Sequence, residues 1–217
     1  MRKNLSILVG AAALSSITVL SLFIFTAQET ESPSQKPEEE TRETTKLKEP
    51  KKVISEPIAN AKSRATKKPF GIYITPQTSP VQPEKFTGYH TGTDFETTSE
   101  EANIDIPIYA ICTGKIRTKE IVTGYGGIIV QECTIENQPV TVLYGHLNIR
   151  QAQVLGVGAE VKSGERIGSL APAGSDLSGG ERKHLHLGIH KSTNIDLHGY
   201  VQNQSELSGW LDAQKLL

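Results

Sequence analysis

From Phe70 onward the chain is a succession of short β-forming runs punctuated by Gly and Pro, several of them alternating apolar with polar residues, and no long segment carries a 3.6-residue period. A chain patterned this way buries its apolar side chains by laying strands side by side, so the expected fold class is all-β. Phe70 to Thr75 opens the series. Pro107 to Lys119 and Gly127 to Thr134 read as two strands around a Gly124-Tyr125-Gly126-Gly127 turn. Gln138 to His146, with Val140, Val142 and Tyr144 in alternation, supplies the next. Gly158 to Gly168 reads as a tight turn feeding Ser169 to Ala171, and His184 to Lys191 is the last clear strand. The tail Ser205 to Leu217, with Leu207, Trp210, Leu211 and Leu216, reads as a short helical turn or packed coil over the core.

The residues before Phe70 are of two other kinds. Arg2 and Lys3 precede a run from Leu5 to Phe25 with no charged residue. In a helix that run is roughly 30 Å long, the thickness of a hydrocarbon core. A cleaved signal peptide shares this layout, but a cut after Ala27 would leave bulky Phe25 where a small residue belongs. Residues 1–27 are therefore expected to be an uncleaved signal anchor or transmembrane helix, with cleaved secretion as the alternative. Positive-inside bias then places the rest of the chain outside the cytoplasm, in the cell envelope. Residues 28–68 are rich in Glu, Lys, Thr, Ser and Pro and poor in aromatics, and are expected to be a disordered linker with a reach of roughly 35 Å. Residues 69–217 form the expected folded domain. A formal net charge of -1 over 217 residues gives no reason to expect nucleic acid as a partner.

Cys112 and Cys133 are equidistant from a point near Val122 and Thr123. In a simple hairpin turning there they would face each other, and an extracytoplasmic compartment is oxidising, so a disulfide is expected. Cys-x-x-Cys spacing, which a thiolate zinc site would need, is absent.

His184 and His186 stand two apart in an alternating run and project from one face, with nitrogens about 7 Å apart. That separation is too large for both to bind one metal without strain, and suits one ligand beside one acid/base group. His90 and Asp94 lie four apart with Gly92 between them, so the backbone can bring an imidazole and a carboxylate together. His146 ends the strand through Leu143-Tyr144-Gly145. A catalytic zinc takes three N or O ligands and keeps one position open, a count met by His90, Asp94 and one of the His184/His186 pair.

His90-x-x-x-Asp94, Tyr144-Gly145-His146-Leu147 and His184-Leu185-His186 occur in the order and spacing of the lysostaphin/LytM-type zinc endopeptidases, a peptidoglycan endopeptidase family with a duplicated-hybrid-motif fold. The resemblance runs from about Phe70 to Trp210. It takes in Cys112-Thr113-Gly114-Lys115-Ile116, the Gly-rich turn and Val161 to Gly168. It implies a compact antiparallel β-sheet or barrel-like sandwich with a groove over one sheet. It further implies one Zn2+ per chain held by His90, Asp94 and His186, and His146 with His184 as the catalytic pair. The implied activity is hydrolysis of peptide cross-links or stem peptides of bacterial peptidoglycan through a zinc-activated water. Family members lacking metal ligands activate other cell-wall enzymes, so a non-enzymatic regulator partnered with such enzymes is the alternative.

Other polar residues near these motifs have plainer readings. His190 shares the face of His184 and His186 and reads as a solvated side chain or a rim contact. His198 falls in a loop. Arg182 and Lys183 either meet acidic stem peptides or serve solubility, and Tyr89 and Tyr144 read as packing groups. Glu96, Glu100, Glu101 and Asp105 form an acidic stretch beside the ligands that either covers the domain edge or disfavours acidic substrates.

Overall fold

The computed structural model describes residues 53–151 and 155–217. The strands are β1 (Tyr73–Ile74), β2 (Gly88–His90), β3 (Gly92–Glu96), β4 (Pro107–Tyr109), β5 (Gly114–Val122), β6 (Gly126–Ile135), β7 (Gln138–Gly145), β8 (Glu160–Val161), β9 (Arg166–Ser169), β10 (His184–His190), β11 (Tyr200–Val201) and β12 (Trp210–Leu211). All pairings are antiparallel. The main sheet runs β12-β10-β7-β6-β5-β8, and β3 joins β12 along one edge of β10; smaller sheets are β1-β2-β11 and β4-β9. Among the described residues helix is confined to short turns and to α1 (Ala213–Leu216), which packs beside β10 and β3.

Side-chain alternation sorts the sheet into two faces. On β10, Leu185, Leu187 and Ile189 enter the main core with Val140, Val142 and Tyr144 of β7 and Phe95 of β3. The opposite face carries a second, smaller cluster of Tyr125, Ile128, Val130 and Leu143. His184 and His186 fall on this second side, where their rings meet those of His146 and Tyr125. The strands read at Gly127 to Thr134, Gln138 to His146 and His184 to Lys191 are present, Phe70 to Thr75 is reduced to Tyr73–Ile74, and the tail forms a 3-10 turn, a strand edge and α1.

Three expectations change. Pro107 to Lys119 is broken at residues 110–113: Pro107–Tyr109 pairs with β9, and Gly114–Val122 pairs with β6 and β8. The disulfide Cys112–Cys133 is present with Cα atoms 6.2 Å apart, but the two residues do not face each other in the ladder. The hairpin turns about Gly124, since Val122 pairs with Gly126, and a register shift between Ile116 and Thr118 puts Gly114 opposite Cys133. Cys112 therefore reaches Cys133 from before the strand. A Cβ on Gly114 would lie 2.8 Å from that of Cys133, so glycine clears the space beside the bridge.

The third change is where the folded unit starts. Ile54, Ile58 and Ala61 are buried in the main core, and Ser55 N donates to Ile111 O. Residues 53–68, assigned to the linker by composition, therefore belong to the domain: three apolar side chains suffice to tie a polar segment down when the core offers them a slot. The expected anchor 1–27 and linker residues 28–52 lie outside the described residues. Among the described residues no helix is long and apolar enough to cross a membrane.

Candidate metal centre

Strand register builds the centre. Asp94 stands directly opposite His186 in the β3–β10 ladder, with Gly145 of β7 on the other side of His186. His90 ends β2, and a single residue, Thr91, separates it from the start of β3. Its Nε2 lies 3.1 Å from His186 Nδ1 and 3.4 Å from Asp94 Oδ1, and His186 Nδ1 is 3.0 Å from Asp94 Oδ1. One ligand atom from each of the three residues lies within 4.8 Å of the others, and all three are buried.

A hydrogen bond fixes which nitrogen of His90 is bare. A carbonyl only accepts, so an imidazole nitrogen bonded to one must carry the proton. His90 Nδ1 donates to Pro69 O at 3.3 Å, leaving its Nε2 lone pair aimed at the cluster. His186 turns the other way: Nδ1 faces the cluster, and Nε2 is buried without a hydrogen-bond partner among the described residues. That ring fills a slot over Gly92, where a Cβ would lie 2.6 Å from Cε1 and Nε2. The His90 Nε2 lone pair, His186 Nδ1 and Asp94 Oδ1 crowd one buried space, where a cation among them would offset their mutual repulsion. The N,N,O set fits zinc.

His146 and His184 flank the cluster with ring centroids 4.3 Å apart. His146 Nδ1 donates to Ser178 O and His184 Nδ1 to Arg182 O, each at 2.9 Å, so both present Nε2 toward the groove. His184 Nε2 is 3.3 Å from Asp94 Oδ2. His146 has a left-handed backbone at φ 62°, which a non-glycine residue adopts at a cost. Its N–H donates to Tyr125 O and its carbonyl accepts from Ala171 N, and these bonds hold it there.

Burial favours the neutral form of His186 and His146, and the Asp94 carboxylate is held in its charged form. Burial pushes the His186 pKa down to about 4, and Asp94 offsets only part of that. Burial, with His184 and His186 nearby, also holds His146 well below the ordinary histidine range. Burial alone would raise Asp94, yet His184, His90 and the hydrogen bonds from His184 and His186 hold it well below the usual carboxylate range.

The site residues expected from sequence are thus brought together, with His186 among the convergent ligand atoms and His184 beside them. Sequence reasoning underread Arg182. It donates through Nη2 to Asp94 Oδ2 at 2.9 Å and through Nε to Glu96 Oε2 at 2.9 Å, so it is part of the centre rather than a surface charge. Tyr125 and Tyr200 were also missed: their rings back His186 at 5.1 Å and His90 at 5.2 Å. Tyr125 lay in plain sight in the Gly-rich turn, but nothing local in the sequence ties Tyr200 to the centre. Lys183 is a packing residue whose ammonium donates to the carbonyls of Glu101, Ala102 and Ile104. Tyr144 is fully buried, with its hydroxyl donating to Gln131 Oε1, as befits a packing group. His190 packs tilted against Trp210 and does not line the groove, whereas exposed His198 does.

The acidic stretch resolves into structural pairs. Glu96 binds Arg182, Glu101 binds Arg64 through two bonds of 2.7 Å, and Asp105 binds Arg166. These carboxylates close the domain edge.

Over the centre lies a groove of about 310 Å³. One wall comes from the segment around Phe86, whose ring stacks on Tyr200 at 5.4 Å. Buried Glu84 anchors that wall, accepting from Lys68 Nζ, from Ser79 Oγ and from the Phe86 amide.

A buried His/Asp/His cluster flanked by two further histidines, at the floor of a groove over an antiparallel sheet, is the layout of a metallohydrolase. The family model for peptidase family M23 matches residues 88–197, half of the chain, and the chain belongs to that family of zinc-dependent peptidases. No curated protein sequence matches. Among solved structures, CbpA from L. salivarius REN superposes with a TM-score of 0.50 at 20% identity, covering 76% of this chain and 95% of that one. The antimicrobial peptidase lysostaphin from Staphylococcus simulans gives 0.43 at 22% identity, over 70% of this chain and 48% of its own. A zinc-containing peptidase from Vibrio cholerae gives 0.41 at 22% identity, over 67% and 41%. At these identities the likeness is one of fold.

Proposed function

We propose that this chain is a zinc endopeptidase that hydrolyses peptide cross-links or stem peptides of bacterial peptidoglycan, held at the outer face of the cytoplasmic membrane by its N-terminal segment. The observation that carries the reading is the convergence of His90, Asp94 and His186 in a groove that also presents the Nε2 atoms of His146 and His184. His90, Asp94 and His186 would hold a single Zn2+. When bound, the ion supplies Lewis-acid activation of water and of the scissile carbonyl. His146, kept neutral by burial, accepts a proton at Nε2. His184 Nε2, within reach of Asp94 Oδ2, takes up the proton released from the water and passes it to the leaving amine. Arg182 fixes the Asp94 carboxylate so that Oδ1 faces the two ligand imidazoles.

The test uses the full-length chain in detergent, incubated with purified sacculi with zinc and with chelator, and mass analysis of what is released. New free amines that appear only with zinc are the expected result. His146→Ala and His184→Ala should each bind zinc and release nothing. Stoichiometric zinc without release from walls of several chemistries would refute the hydrolase reading in favour of a regulator of other wall enzymes.

A further inference from the structure

Among the charged side chains that line the groove, one differs from the rest. Among the described residues two cations line it, Lys68 and Arg182, and both are matched. Lys68 is buried against Glu84, and Arg182 is bound by Asp94 and Glu96. Two carboxylates line it, Asp94 and Glu181. Asp94 is taken up by Arg182 and by the ligand cluster. Glu181 is half-buried, and its backbone is held by the Ser178 carbonyl and the Gly174 amide. Its side chain forms no ion pair among the described residues. It is therefore the uncompensated charge of the groove wall, three residues before His184 and next to the arginine that fixes Asp94.

We propose that Glu181 is a specificity-determining residue that receives an ammonium group of the bound peptide. A half-buried carboxylate without a partner lowers its energy by accepting hydrogen bonds from a cation, and partial exclusion of water strengthens that attraction over its value at an open surface. The two matched cations, Arg182 and Lys68, are held by their carboxylate partners and are not free to take up a competing anionic ligand. The preferred ligand class is a peptide carrying a primary amine near the bond over the metal centre, either on a diamino-acid side chain or at a free N-terminus. The inference rests on the proposed use of the groove for peptides, not on turnover.

The test measures binding by calorimetry to the zinc-loaded full-length chain carrying His146→Ala, so that cleavage does not interfere. Three peptides serve as probes: an N-acetylated peptide with lysine, its N-acetylated norleucine isostere, and the norleucine peptide with a free N-terminus. The lysine or the free-amine peptide should bind about five- to tenfold more tightly than the acetylated norleucine peptide, and the arm that gains identifies the amine. Glu181→Gln should bring that ratio to about 1, and Glu181→Lys should invert it in favour of a matched glutamate peptide. Equal binding of all three peptides, or a ratio unchanged in Glu181→Gln, overturns the proposal while leaving the hydrolase reading intact. Binding of none of them overturns the proposal together with the peptide groove. Failure of the wild-type chain to cut sacculi, with the amine preference present, refutes only the hydrolase reading.

Discussion

Replacing Gly92 by alanine tests whether the centre depends on the slot that seats His186. Gly92 lies in β3 opposite Gly188, and its φ is not left-handed, so alanine meets no backbone penalty there. The effect is steric. A Cβ at this position would stand 2.6 Å from His186 Cε1 and Nε2 and 2.8 Å from Leu187 O. Ordinary carbon contacts begin near about 3.5 Å, so the ring must retreat by about 1 Å. It has nowhere to go: Tyr125 and His90 lie against it at 5.1 and 5.0 Å between centroids, and Leu187 O belongs to the paired strand. Overpacking of this kind typically costs about 1–3 kcal/mol, and a ligand displaced by about 1 Å weakens the site by about 100-fold. The assay is zinc competition against a chromophoric chelator, with thermal unfolding of the metal-free chain measured in parallel. Gly156→Ala, at a position with nothing within 4 Å, is the control and should leave both unchanged. A folded Gly92→Ala chain that binds zinc within about twofold of wild type would refute the reasoning.

Three further outcomes follow from named contacts. Tyr144→Phe removes the hydroxyl that accepts from Ile111 N and donates to Gln131 Oε1, so the chain should lose about 1–3 kcal/mol of stability in denaturant titration. Cys112→Ser opens a bridge spanning a sequence separation of 21, and should lower stability by about 3 kcal/mol on the loop-entropy scale, read from the same titration under oxidising conditions. The metal-free chain should lose stability as pH falls from about 6.5 toward about 4: in that window the unfolded chain protonates His186 while burial keeps the folded imidazole neutral. His146 acts in the same direction, so unfolding midpoints recorded from pH 8 downward should be flat above about 6.5 and fall below it.

The all-β class, the strand carrying His184 and His186, and the five histidine and aspartate residues of the centre are legible in the sequence. The class and the shared face of the two histidines rest on period-two alternation, and the full set of five rests on the resemblance of three spaced motifs to a known family. The start of the domain was not legible, because Ile54, Ile58 and Ala61 sit in a polar segment whose composition reads as linker. Their burial depends on a slot beside Ile111 and Tyr109 that exists only after the strands assemble. The disulfide was expected for a partly mistaken reason, since the shift between Ile116 and Thr118 decides what faces Cys133.

What the sequence determined by itself is the set of chemical groups and the face of β10 on which two of them stand. Only the tertiary structure decided how they combine. The β3–β10 register set Asp94 opposite His186, and Arg182 turned back from the head of β10 to clamp Asp94 and Glu96. Tyr200 reached His90 across 110 residues of chain through the pairing of β11 with β2. These are contacts between segments far apart in sequence, and no local pattern encodes a distance that is set by the register of a sheet.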